Sequence, residues 1–166
     1  MALSKDEKDI VQPLAEAVTK TFSIQFSTPV EILSIDHSET QTLEFEIAAI
    51  MSISSSTYTG IVALCFPQST FLALVERMLL KKYTTIDSNN ADAAGEMLNI
   101  IYGVARLRIN RDGFDFFPAI PSVVRGKSLI ISHISGSPCI VVSCKSESGP
   151  FALEISLKKT GEIHFE

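Results

Sequence analysis

Two acids and an amide follow one another at helical spacing in the segment DAAGEMLNIIYG, which runs from Asp92 to Gly103. Asp92, Glu96 and Asn99 stand at positions i, i+4 and i+7, and residues at this spacing share one face of an α-helix. The residues between them are largely apolar. The pattern therefore predicts a helix that buries most of its surface and exposes one narrow polar stripe.

The stripe continues towards the C-terminal end of the same helix. At about 100° per residue, Glu96, Asn99 and Gly103 fall within about 40° of the line through Asp92, and Arg106 falls about 40° to the other side. A glycine inside a helix costs roughly 1 kcal/mol relative to alanine, so Gly103 is expected to let a partner's backbone come close. The apolar residues expected on the opposite arc are Ala93, Met97, Ile100, Ile101, Val104 and Leu107. Periodicity alone leaves two interpretations open, an ordinary solvated face and a docking stripe.

Length and composition indicate one domain, residues 1–166, with a sizeable core. The chain has 166 residues, of which 46% are hydrophobic and 20% are charged, and such a chain is expected to fold. A net charge of −5 disfavours nucleic acid as a partner. The charged start MALSKDEKD does not resemble a secretory leader, and no apolar run reaches membrane-spanning length. A cytoplasmic protein without a membrane partner is expected.

The first helix is expected to run from about Asp9 to Phe26. Four apolar residues recur there at i+4 spacing: Ile10, Leu14, Val18 and Phe22. Pro13 must lie in the first turn of a helix or kink it, so a start near Asp9 is favoured over a start at Ser4.

Two more helices are expected in the middle of the chain, TFLALVERMLL and the helix of the polar stripe. The second is expected to end at the lysine pair 81–82, since a helix C-terminus favours cations. The third is expected to reach about Asn110. The expected N-caps are Ser69 or Thr70 for the second helix and Asp87 or Ser88 for the third.

Strand-like runs flank these helices on both sides. VEILSID, TLEFEIAAIMSI and YTGIVALCF come before the second helix, and FFPAIPSVV, LIISHI, CIVVSCKS and FALEISLK come after the third. The serine run 52–56 is expected to be a hairpin turn, and Pro118 and Pro121 confine their strand to a sheet edge or a bulge. The order predicts an α+β fold with one antiparallel sheet covered by helices, and it suggests a degenerate repeat of one helix followed by strands.

No residue cluster predicts a metal or nucleotide cofactor. The sequence contains no phosphate-binding glycine loop and no serine-hydrolase elbow. His37, His133 and His164 are isolated in the sequence, without metal-ligand spacing. Cys65, Cys139 and Cys144 lack CxxC spacing and are expected to be free and buried.

The pattern D-x-x-x-E-x-x-N at Asp92, Glu96 and Asn99 resembles the signature helix of the CheC/CheX/FliY family of chemotaxis phosphatases. Three further segments resemble the family in matching order: VQPLAEAVTKTF, which includes Pro13, then GFDFFPAIPSVVRG and GPFALEISL. CheC-type members carry two such motifs, and a second copy here would fall near Gln12 and Pro13. Asn99 is the one asparagine with a glutamate three residues before it. A single motif on the later helix is the CheX pattern.

The resemblance implies a protein phosphatase that acts on the phospho-aspartate of a CheY-like response regulator. In this interpretation Asn99 orients the attacking water and Glu96 pairs with a lysine of the partner. Asp92, Gly103 and Arg106 belong to the partner-binding surface. Mg²⁺ is supplied by the response regulator, and a homodimer through the sheet edges is expected. The alternative is a non-catalytic adaptor that binds a receiver domain or a flagellar or signalling component.

Overall fold

The computed structural model describes residues 2–38, 43–132 and 139–160. Within these ranges the chain forms three helices and six strands. In chain order they are α1 (Lys5–Phe26), β1 (Val30–Ser38), β2 (Phe45–Ser54), β3 (Tyr58–Phe66), α2 (Gln68–Leu79), α3 (Asp92–Arg111), β4 (Ser122–Leu129), β5 (Cys139–Ser146) and β6 (Gly149–Lys159). No helix in the described ranges combines the length and hydropathy that crossing a membrane requires.

The six strands form one sheet in the order β1-β5-β6-β3-β2-β4, and each neighbouring pair is antiparallel. This arrangement confirms the predicted α+β fold. Exchanging β1, β2 and β3 with β4, β5 and β6 reproduces the same order read backwards. The topology therefore carries the two-fold repeat that the order of elements suggested, with β1 and β4 as the two sheet edges.

The helices pack on one face of this sheet. Alternate residues of β2 point into the main core, as the two-residue period of a strand requires: Ile47, Ala49, Met51 and Ile53. At the centre, the Phe22 ring of α1 stacks on the Phe151 ring of β6, with the two ring centroids 4.9 Å apart. The ring centroid of Phe66 in β3 lies 5.3 Å from that of Phe151. Aromatic and aliphatic burial across this layer holds the helices on the sheet.

The opposite face of the sheet holds a smaller buried cluster of Phe45, Ala48, Ala63 and Cys65. Glu154 of β6 is buried beside it and accepts a hydrogen bond from the Cys65 thiol at 3.6 Å. Burial raises the pKa of the Glu154 carboxyl.

All three cysteines lie among the described residues and are free thiols. Burial raises the pKa of Cys139 to about 12 and that of Cys144 to about 12. Burial also raises the pKa of Cys65. All three therefore remain protonated at neutral pH, and none is an activated nucleophile.

The predicted start of α1 was wrong. The helix begins at Lys5, because Ser4 and Glu7 form a reciprocal capping box. The Glu7 amide donates to the Ser4 hydroxyl at 3.2 Å, and the Ser4 amide donates to the Glu7 carboxylate at 2.7 Å. Pro13 therefore lies inside the helix and is buried. The capping box satisfies two backbone donors at the terminus, while the proline removes one hydrogen bond inside the helix.

The predicted caps of the other two helices were also wrong. The N-cap of α2 is Pro67, and the amide of Gln68 donates to the Glu46 carboxylate of β2 at 2.7 Å. A side chain from a neighbouring strand thus replaces a local serine or threonine cap. α2 ends at Leu79, shortly before the lysine pair. Asp87 belongs to a turn before the helix, in which its carbonyl accepts a hydrogen bond from the amide of Ala91 at 2.9 Å. α3 itself begins only at Asp92.

The strand expected in FFPAIPSVV begins only at Ser122, directly after Pro121. Its edge position is confirmed, because β4 ends the sheet. Of the run LIISHI, Leu129 alone lies in a strand, residues 130–132 do not, and the last two residues fall outside the described ranges. A segment without regular structure, residues 114–121, therefore connects the end of α3 with the edge strand.

Candidate functional site

The predicted polar stripe lies on the exposed face of α3. Its opposite face packs into the main core through Ala93, Met97 and Ile101, among others. Val104 and Leu107 were assigned to the buried arc, and that assignment was wrong, because they are 38% and 63% exposed. At about 100° per residue Leu107 falls roughly 60° from Asp92, beside the stripe. The exposed members of the stripe are Asp92, Glu96, Asn99 and Gly103.

The three polar side chains of the motif are not engaged within the part of the chain that the structure describes. Asp92, Glu96 and Asn99 form no side-chain hydrogen bond and no ion pair with any of those residues. At a rise of about 1.5 Å per residue, Glu96 and Asn99 lie one helical turn apart along the same edge. A carboxylate and an amide thus face solvent side by side, with their full hydrogen-bonding capacity available.

The stripe forms one wall of an open groove of about 390 Å³. Ile120, Pro121 and Val123 form the facing wall. Gly95 is buried where the two walls meet, and a Cβ atom there would lie 3.2 Å from Cγ2 of Val123. The missing side chain lets α3 lie close against the start of β4. Gly95 and Ile120 were not predicted as site residues from the sequence.

Side chains of α3 hold the connecting segment 114–121 in place. The Tyr102 hydroxyl donates to the carbonyl of Phe117 at 2.7 Å, and Arg106 donates to the carbonyl of Phe116 at 3.2 Å. Asn110 bonds both backbone groups of Phe116, at 2.7 and 3.0 Å. In the structure the Arg106 guanidinium contacts this segment, and the expected contact of Arg106 with a partner stays a prediction. Pro118 and Pro121 were expected to confine a strand here to a sheet edge or a bulge, and in the structure the residues from 114 to Pro121 lie outside the sheet.

Gly103 lies on the exposed stripe, and a Cβ atom there would meet nothing within 4 Å. Intramolecular packing therefore gives no reason for a glycine at this position. The expectation that a partner approaches closely at Gly103 remains a prediction.

Among the described residues, no group of three or more His, Cys, Asp or Glu side chains is placed to hold a metal ion. His37 is not isolated, because its ring nitrogen lies 3.2 Å from the Glu7 carboxylate. His133 and His164 lie outside the described ranges. The chemistry available at the α3 groove is hydrogen bonding by an amide and ion pairing by carboxylates.

Residues 47–145, more than half of the chain, match the family described as chemotaxis phosphatase CheX. The chain belongs to the CheX family. The matched range includes the whole of α3, and with it the motif residues Asp92, Glu96 and Asn99. The resemblance predicted from the sequence is confirmed. No protein with a curated function matches this chain in sequence.

Solved structures of CheX proteins share the fold over nearly their whole length. The chemotaxis protein CheX from Vibrio vulnificus is 21% identical, with a TM-score of 0.85 over 90% of this chain and 99% of that one. CheX from Desulfovibrio desulfuricans is 27% identical, with a TM-score of 0.82 over the same shares. A CheX–CheY–BeF₃–Mg²⁺ complex from Borrelia burgdorferi includes a chain 19% identical to this one, with a TM-score of 0.73 over 90% of this chain and 97% of that one.

Proposed function

We propose that this CheX-family chain hydrolyses the phospho-aspartate of a CheY-like response regulator. The observation that carries the proposal is the Glu96–Asn99 pair, which lies exposed and unengaged in the groove of α3. Family membership supplies the reaction class. The Borrelia complex, which contains CheY, supports a receiver as the partner.

An acyl phosphate needs little covalent help from a catalyst. Water attacks phosphorus in line with the aspartyl oxygen, the bond between phosphorus and that oxygen breaks, and the products are inorganic phosphate and the free carboxylate. The proton of the water leaves with the phosphate product. Because the leaving group is already good, holding the water in position supplies most of the rate gain.

Asn99 is the group that we assign to the water. Its amide offers a carbonyl oxygen that accepts from water and an NH₂ group that donates, and it brings no negative charge towards the phosphoryl group. An aspartate at this position would repel the phosphoryl group. The exposed position of Asn99 lets the amide reach into a partner's site when the partner occupies the groove.

Glu96, one turn away, is the group that we assign to docking. A carboxylate with no partner of its own can pair with a lysine of the receiver and fix the orientation in which Asn99 enters. Asp92 adds a second negative charge at the same wall. Mg²⁺ then belongs to the receiver that carries the phosphoryl group, consistent with the Mg²⁺ in the CheX–CheY complex.

Three further expectations from the sequence stay predictions. They are the single domain over residues 1–166, the cytoplasmic location and the homodimer. In the structure β1 and β4 are the sheet edges where a second copy could add strands.

The experiment is phosphate release from CheY-like receivers that have been phosphorylated by a small-molecule donor in Mg²⁺ and separated from it. Substoichiometric wild-type protein is expected to release phosphate with turnover, faster than the receiver does alone. Asn99→Ala is expected to be about 10²-fold slower while still binding, as with other single preorganised hydrogen-bonding groups. Binding of phosphorylated receivers without any acceleration by the wild-type protein would contradict the proposal and favour the adaptor.

A further inference from the structure

We propose that Ile120 is an apolar anchor for the same receiver, so that the partner must present an apolar patch beside its phosphorylated aspartate. The inference rests on the proposed function and adds a recognition element to it. Ile120 is 88% exposed. A single exposed isoleucine is ordinary on a protein surface, so its position in the fold must decide the question.

Ile120 lines the groove opposite the motif. Asp92, Glu96 and Asn99 stand on the helical wall, and Ile120 stands with Pro121 on the facing wall of the same open depression. A phosphorylated side chain belongs to a folded protein and cannot reach Asn99 without bringing surrounding surface into this groove. That surface must cover Ile120, which removes its side chain from water.

The segment that carries Ile120 is fixed before any partner arrives. Three side chains of α3 hold its backbone through the carbonyls of Phe116 and Phe117. From the other side, the amide of Phe117 donates to the carbonyl of Ser54 in β2 at 2.9 Å. The Phe116 side chain is buried in the core, and prolines 118 and 121 restrict the backbone further.

The backbone N–H and C=O groups of residues 114–121 do not form hydrogen bonds within the sheet, so they need other partners. Here side chains satisfy several of those groups and keep Ile120 at the rim of the groove. Preorganisation of this kind lowers the ordering entropy lost on binding, so burial of the side chain contributes to affinity. The two walls then have different roles, because the carboxylates attract a lysine and the isoleucine packs against an apolar side chain near it.

Ile120→Ala and Ile120→Asp test the anchor, with Ile130→Ala as the matched control. Ile130 is an isoleucine of similar exposure (77%) that follows the far end of β4. The two ends of β4 lie about 17 Å apart by strand rise, because Ser122 and Leu129 pair with Ile50 and Phe45 of β2. The measurements are a binding isotherm with a phosphorylated receiver and the rate of phosphate release at saturating protein. Thermal unfolding of each variant checks that the fold is retained.

Ile120→Ala is expected to weaken receiver binding about 10-fold, as for an interface anchor, and Ile120→Asp is expected to weaken it more. In both variants the rate of phosphate release at saturation should stay within about twofold of wild type. Ile130→Ala is expected to change neither quantity. Unchanged affinity in both Ile120 variants, with Asn99→Ala still about 10²-fold slower than wild type, would overturn the anchor and leave the phosphatase proposal intact. A wild-type protein that neither binds nor dephosphorylates receivers would overturn both.

Discussion

α1 and α3 occupy corresponding places in the two halves of the fold, yet their exposed faces differ in what is free to bind. Gln12, Ala15, Glu16 and Thr19 line a groove of about 560 Å³ between α1 and β1. Their spacing matches that of Asp92, Gly95, Glu96 and Asn99, which line the α3 groove. A glutamate thus stands at the same place in both helices, followed three residues later by threonine in α1 and asparagine in α3.

The first half uses its polar groups internally. Glu16 forms an ion pair with Arg108 of α3, and the Thr19 hydroxyl donates to the carbonyl of Ala15, one turn back in α1, at 3.4 Å. In the second half, Glu96 and Asn99 are unengaged among the described residues. Corresponding positions of the fold therefore differ: on α3 the polar side chains are available to a partner, and on α1 they are engaged within the protein.

Among the polar groups of the two helices, the largest effect on receiver affinity is expected at Glu96. Glu96→Ala should weaken receiver binding about 10-fold, because it removes a charge that docks the partner, and added salt should reproduce part of this loss in the wild type. Glu16→Ala is the matched control and should leave binding unchanged. The check is a binding isotherm for each protein at low and high salt. Equal losses in both variants would break the distinction between the halves.

A smaller effect of about 1 kcal/mol is expected at Gly103. Alanine there meets no neighbouring atom within 4 Å, so Gly103→Ala should stabilise the protein by roughly 1 kcal/mol through helix propensity. If the partner's backbone comes close at this position, the same change should weaken receiver binding. Ser23→Ala, on the exposed face of α1, is the control for binding. Denaturant unfolding and a binding isotherm measure the two effects, and unchanged affinity would remove Gly103 from the contact.

The smallest effect is expected from Arg108→Ala, which breaks the pair with Glu16. Both side chains are about half exposed, and ion pairs of this kind contribute less than about 1 kcal/mol to stability. Phosphate release should not change, because the first groove takes no part in it. A clear fall in the hydrolysis rate of a folded Arg108→Ala protein would show that the α1 side contributes to the reaction.

The sequence predicted the polar stripe well, because helical periodicity places residues on a face directly. Glu96 and Asn99 are exposed where the spacing put them. The order of elements also predicted the sheet class. The motif's counterpart in the first half was expected near Gln12 and Pro13. The groove-lining positions of the structure align Gln12 with Asp92, and Glu16 and Thr19 with Glu96 and Asn99.

Residues that depend on tertiary contacts could not be predicted in this way. Ile120 belongs to the site only because α3 side chains hold residues 114–121 against the stripe, and no local pattern encodes that contact. The start of α1 was misplaced because Pro13 was given more weight than the capping box at Ser4. The buried carboxyl of Glu154 lies in a run that otherwise resembles an ordinary strand, and its burial appears only in the folded structure, where β6 is a central strand.

Asn99→Thr tests the role of the Asn99 amide most directly, because it gives α3 the Glu-x-x-Thr pattern of α1. Phosphate release from a phosphorylated receiver is measured at saturating protein, beside a binding isotherm, with Thr19→Asn as the reciprocal control. We expect a rate about 10²-fold below wild type for Asn99→Thr with little change in affinity. We expect no gain for Thr19→Asn, since Glu16 remains paired. A wild-type rate in the Asn99→Thr protein would contradict the assignment of the attacking water to the Asn99 amide.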